Sequence, residues 1–106
     1  MPDYYDKLGM PMELFEWAKK FEDINYKRIA QDVLVDGKLI STVWLGLNHR
    51  FGKGKPLIFE TMVFPNNKDF GELDMQKYST AEEAKKGHAR MVKKWNKKQI
   101  RKDRKK

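Results

Sequence analysis

The sequence predicts a single α+β domain of order α-β-β-β-α, an antiparallel meander sheet with its helices packed on one face. Three observations predict it. An apolar stripe of helical period occupies residues 14–21, three alternating β-like runs lie between residues 27 and 64, and a capping box at Thr80 opens a second helical stripe. At 106 residues, with 40% apolar and 12% aromatic composition, the chain has the material for one modest core.

Residues 1–11 read as a flexible leader, followed by one domain over residues 12–95 and a basic tail over residues 96–106. Pro11 sits where the first turn of a helix tolerates proline, because its missing N–H would be unpaired there anyway. Leu14, Trp17, Ala18 and Phe21 then recur at i, i+3, i+4 and i+7, with acids early and lysines late along the same helix.

The first strand is expected over residues 27–35, with Ile29, Val33 and Val35 on one face and Arg28 and Asp32 on the other. Asp36-Gly37 is a hairpin signal. The second strand, residues 39–47, puts Val43, Leu45 and Leu47 on one face and Ile40, Thr42, Trp44 and Gly46 on the opposite one. A glycine-bearing loop over residues 48–56 returns into residues 57–64, where Leu57, Phe59, Thr61 and Val63 alternate with Ile58, Glu60, Met62 and Phe64. Residues 65–77 form a long connection held by Phe70, Leu73 and Met75, with room for a short fourth strand. Thr80 and Glu83 make the capping box, and Ala81, Ala84, His88, Met91, Val92 and Trp95 form the last helical stripe. The stripe stops at Trp95, so the folded part is expected to end near Asn96, with the basic segment continuing past it as a frayed helix or coil.

Charge is distributed unevenly. Residues 93–106 hold nine Lys/Arg and one Asp, a net +8, while the remaining residues hold fourteen of each sign. A neutral body with a cationic end calls for two separate explanations. Lys93, Lys94, Lys97, Lys98, Arg101 and Lys102 are the candidate nucleic-acid contacts, since clustered cations give salt-sensitive, sequence-blind affinity for phosphates. A solvated, solubilising end is the plainer reading of the same run.

A ligand site is expected on the polar sheet face. Thr42 and Trp44 would look across to Glu60, with His49, Arg50, Lys53 and Lys55 closing one end. A tryptophan platform, a carboxylate and a basic glycine loop suit a nucleotide. Gly52-Lys53-Gly54-Lys55 lacks Walker spacing, and a twisted sheet with a half-covered tryptophan is the bland alternative.

No catalytic residues and no metal ligands are assigned. The chain has no cysteine and two histidines without metal-binding spacing, and it lacks a Gly-x-Ser-x-Gly elbow. Asp32, His49 and Glu60 are the one set that neighbouring strands would bring together as a general-base site. His88, on the apolar stripe, reads as a core histidine donating to a carbonyl. No run of about 18 apolar residues is present, which with the absent cysteines points to a cytoplasmic protein. No cofactor is expected.

The strings Ser41-Thr42-Val43-Trp44-Leu45-Gly46-Leu47-Asn48-His49 and Pro56-Leu57-Ile58-Phe59-Glu60-Thr61-Met62-Val63-Phe64 resemble a family of small bacteriophage and prophage proteins. Tyr78-Ser79-Thr80, Glu83-Ala84, Gly87-His88 and Met91-Val92 continue the resemblance, which covers residues 12–95. The family's pattern has Asp where this chain has Asn48. The resemblance implies an accessory protein of a mobile element, acting in the host cell, and implies no particular activity. From the cationic tail and the Trp44, Glu60 and glycine-loop face, the expected function is non-catalytic binding of a phosphate-bearing partner, either nucleic acid or a nucleotide signal. The alternatives are a protein–protein inhibitor of a host defence component and, third, a small hydrolase.

Overall fold

The structure, a computed structural model, describes residues 3–49, 52–69 and 71–104. In chain order the elements are β1 (Tyr4–Tyr5), β2 (Pro11–Met12), α1 (Leu14–Glu22), α2 (Ile24–Lys27), β3 (Arg28–Val33), β4 (Leu39–Trp44), β5 (Phe59–Phe64), β6 (Asp74–Tyr78) and α3 (Ala81–Arg104). Strands β3 to β6 form one antiparallel sheet in sequence order, and β1 pairs with β2 in a separate ribbon. The fold is α+β with helices against an antiparallel sheet. It has more elements than the five expected.

The N-terminal segment belongs to the body. Asp6 makes the ribbon's turn: its Oδ1 accepts from the amides of Leu8 and Met10 at 2.9 Å each, and Gly9 takes φ +84°. Pro11 consequently pairs with Tyr5 in a strand and does not start a helix. The ribbon is fastened to the sheet: the Tyr5 amide donates to the Gly46 carbonyl at 2.8 Å, and the Trp44 indole donates to the Tyr5 carbonyl at 2.9 Å. Residues 3–5 of the expected leader therefore lie against the end of the sheet, and the turn that follows carries Leu8 and Met10 exposed.

The helix α1 starts at Leu14 as its apolar spacing requires. Asp23 ends it and caps α2 by accepting from the amides of Asn25 and Tyr26. Asp36-Gly37 forms its turn, with the Leu34 amide donating to the Lys38 carbonyl at 2.8 Å and Gly37 at φ +93°. The capping box also forms: the Glu83 amide donates to Thr80 Oγ1, and the Thr80 amide donates to Glu83 Oε1, both at 3.1 Å.

The core lies on one face of the sheet, beneath α3. Ile40, Thr42 and Trp44 of β4 and Phe59, Thr61 and Val63 of β5 are fully buried there, while their alternates are half-covered on the other face. This inverts the sequence reading of β4, which placed Thr42 and Trp44 on the open side. In β3 a register shift between Arg28 and Ala30 makes Ile29 an extra residue. It packs against the Trp44 cluster, Asp32 turns toward α3, and Val33 and Val35 are left exposed.

Two clusters fill the core. One gathers Trp44, Ile58, Phe59, Tyr78 and Ala84, flanked by Tyr5, Met12, Trp17 and Tyr26; the other gathers Leu34, Ile40, Val63 and Met91, with Val92 and Trp95. Tyr26 meets Trp44 edge-on with centroids 5.0 Å apart. The fourth strand is present as β6. It is held by buried Tyr78, while Leu73 and Met75 are exposed and Phe70 lies outside the described residues. No helix among the described residues is long and apolar enough to cross a membrane.

Candidate nucleic-acid interface

The expected ligand face does not assemble. Thr42 and Trp44 are wholly inaccessible in the core, and their cross-strand partners are Thr61 and Phe59. Glu60 pairs with Val43 on the opposite face, where it meets Lys77 at 3.7 Å. His49, Lys53 and Lys55 are exposed beyond the end of β4, and Arg50 lies outside the described residues. Asn48 serves the fold: its side-chain oxygen accepts from the Leu57 amide at 3.2 Å, closing the loop as an aspartate oxygen would.

Asp32, His49 and Glu60 likewise stay apart, but Asp32 reaches a different histidine. Its Oδ2 lies 2.7 Å from His88 Nε2; His88 Nδ1 lies 2.7 Å from Thr42 Oγ1, which is 2.5 Å from Thr61 Oγ1. A carboxylate accepts, so Nε2 carries a proton. With that proton alone on the ring, Nδ1 accepts from Thr42, whose oxygen accepts from Thr61. Each buried polar atom in this row of four side chains thereby has a partner. His88 meets a carboxylate and a hydroxyl and no carbonyl. The order carboxylate–imidazole–hydroxyl matches a nucleophilic triad in chemistry, but Thr42 has no accessible surface on which a substrate could be attacked. Among the described residues no three His, Asp or Glu side chains are gathered to hold a metal ion.

The helix α3 runs through to Arg104, so the basic segment past Asn96 takes the helical of the two forms expected for it. Along it, cations at 86, 90, 93, 97, 101 and 104 repeat at steps of four, three, four, four and three. At about 100° per residue these positions fall within a sector of about 80°, roughly 27 Å long, on the side away from the Ala84–Met91 core face. Lys86, Arg90 and Lys93 are exposed. Of the residues read from sequence, Lys93 is on this line, and Lys97 and Arg101 hold positions on it. Lys98 and Lys102 hold positions toward the core side of the helix. Lys86 and Arg90 were missed, although the four-three spacing was there to be read.

Comparison with family models, curated proteins and solved structures gives no match.

Lys94 leaves the line toward β6, where its Nζ lies 2.6 Å from Asp74 Oδ2; the same oxygen accepts from the Trp95 indole at 3.3 Å. This clamp fixes α3 against the sheet at the last core turn. The Lys94 ammonium holds the Asp74 carboxyl below the ordinary carboxylate range, against an opposing push from partial burial. The folded state thus binds that proton less readily than the unfolded chain. The contact contributes fully above about pH 4 and is lost as pH falls below it. Asp74→Asn is expected to cost up to about 1 kcal/mol at pH 7, as Lys94 is half exposed. Urea unfolding at pH 7 and pH 3 checks it: the gap between variant and parent should narrow at the lower pH.

Beside this line, a cleft of about 370 Å³ opens between β6 and α3. Its strand wall is Gln76, Lys77 and Tyr78, continued by Ser79 and by Leu57; its helix wall is Glu83, Lys86 and Arg90. The first two cations of the line therefore also border a concave site.

Proposed function

We propose that this protein is a non-catalytic nucleic-acid binder, of the accessory type that the phage resemblance implies, and that the cationic line on α3 is its interface. The observation that carries this reading is the alignment of six cationic positions on one side of a helix that continues past the core. Unaligned cations would serve solubility equally well; aligned ones follow a phosphate backbone. A nucleotide messenger held at Trp44 drops out, because Trp44 is enclosed.

Six phosphate contacts give a log–log salt slope of about −4 to −5. Binding of a fluorescein-labelled 20-nucleotide probe should therefore weaken steeply between 50 and 200 mM salt in an anisotropy titration. Alignment is tested by charge-matched pairs in the full chain. Lys97→Gln with Arg101→Gln should weaken binding about tenfold at 100 mM salt, with a shallower slope. Lys98→Gln with Lys102→Gln should weaken it by less than about threefold, the residual long-range effect. Equal losses from the two pairs would reduce the line to undirected charge, and no binding at 50 mM salt would end the reading.

A further inference from the structure

We propose that the cleft between β6 and α3 receives an unpaired nucleotide of the strand lying along α3, so that the protein selects single-stranded nucleic acid over duplex. This rests on the nucleic-acid reading above and names its substrate class.

The strand wall restricts what the cleft can hold. Successive side chains of a strand point to opposite faces, so three consecutive strand residues, 76 to 78, can all line one cleft only where it meets the strand's edge, with Ser79 just beyond the strand's end. β6 is an edge strand: it pairs with β5 on one side and with no strand on the other among the described residues. Apart from the Tyr78 carbonyl, which accepts from the Ile58 amide, and the Ser79 amide, which donates to Glu83, the cleft is offered the backbone groups of this edge, together with the Gln76 amide and the Ser79 hydroxyl. These include acceptors as well as donors. A phosphate calls for donors alone, whereas the edge of a base presents both kinds and is matched by such a wall.

The helix wall supplies the remainder. Lys86 and Arg90 join the cleft to the cationic line, so a strand following that line passes its mouth. Arg90 makes no hydrogen bond or ion pair among the described residues, and its planar guanidinium is suited to a base face or a phosphate. Glu83 Oε1 is occupied by the amides of Ser79 and Thr80, which lessens its repulsion of an incoming anion. The volume falls within the range of small-ligand sites, about 300–1,000 Å³. In a duplex the Watson–Crick edges are already paired and the bases are held in the stack, so only an unpaired nucleotide can turn its base out into this cleft.

Electrostatics alone would favour the opposite preference, because duplex carries about one charge per 1.7 Å of axis, twice the density of one strand. Preference for a single strand would thus report the cleft. The test is anisotropy at 100 mM salt with a labelled 20-nucleotide oligothymidylate and a blunt 20-base-pair duplex. The single strand should bind at least about fivefold tighter. Gln76→Ala with Ser79→Ala should abolish that preference while leaving duplex affinity within about twofold. Amide resonances of residues 76–79 should shift with the oligothymidylate and not with the duplex, a readout that does not depend on the variant folding. Equal or duplex-favouring affinity, or unmoved resonances, overturns the cleft while leaving the α3 interface standing. No binding of either probe overturns the interface itself.

Discussion

Gly46→Ala is expected to destabilise the fold by about 3 kcal/mol, lowering the melting temperature by about 15 °C. Two costs coincide at this residue. Its φ of +72° lies in the left-handed region, where a Cβ meets the backbone. That Cβ would also stand 2.4 Å from Trp44 Cζ2 and 2.6 Å from Trp17 Nε1. Neither ring can yield cheaply. The Trp17 indole donates to the Leu45 carbonyl at 2.9 Å, and the Trp44 indole donates to the Tyr5 carbonyl, so a displaced ring gives up a bond that anchors α1 or the N-terminal ribbon. Gly37→Ala is the control: its φ is +93°, but nothing lies within 4 Å of the added methyl, and it should cost only about 1 kcal/mol. Thermal melts of the two variants decide the matter. Equal shifts would mean that the backbone conformation alone, and no close approach of two tryptophans, calls for glycine at position 46.

The same residues show what the sequence could and could not convey. Local rules succeeded where one short-range interaction decides: the Thr80 capping box, the Asp36-Gly37 turn and the α3 stripe formed, and so did the α1 stripe apart from Leu14, which stays half exposed. The facing of β4 failed because both of its faces are apolar enough to be buried, and alternation gives two faces without ranking them. What ranks them is remote. His88 comes from 46 residues downstream to meet the Thr42 hydroxyl, and Tyr5 comes from 39 residues upstream to accept the Trp44 indole proton. Thr42 and Trp44 read as polar in isolation, and their burial follows from partners that no local window contains. The bulge at Ile29 was equally hidden, since one extra residue exchanges the faces of everything beyond it. The candidate interface fared differently. Its cations were visible as composition, but taking the tail as a charge run past Asn96 concealed a periodicity that begins at Lys86, inside the folded helix.

His88→Ala should be of similar size, about 3 kcal/mol, and it tests what the buried row of polar groups is for. Removing the imidazole opens a cavity beneath α3 and strips the Thr42 hydroxyl of one of its two partners, in a place with no accessible surface. Thr42→Val should cost less, about 1–3 kcal/mol: the volume is kept, but His88 Nδ1 and Thr61 Oγ1 are both orphaned. Asp32→Asn should cost less again, below about 1 kcal/mol, because the Asp32 side chain is 54% exposed and an amide oxygen still accepts the Nε2 proton. His88 leads because its removal adds a cavity to the lost hydrogen bonds, Thr42→Val keeps its volume, and Asp32 comes last because its end of the row is wet. A double-mutant cycle joining His88→Ala and Thr42→Val should show coupling of about 1 kcal/mol or more, since the second substitution removes a partner already lost. Denaturant titrations of the three single variants and the double variant measure all of these terms. Imidazole ¹⁵N shifts should report the proton on Nε2. A relay serving chemistry would reverse the order, with Asp32→Asn abolishing an activity while stability held. The enclosure of Thr42 argues for the structural ranking: the network keeps α3 in register on the sheet, and thereby holds Lys86 and Arg90 beside β6.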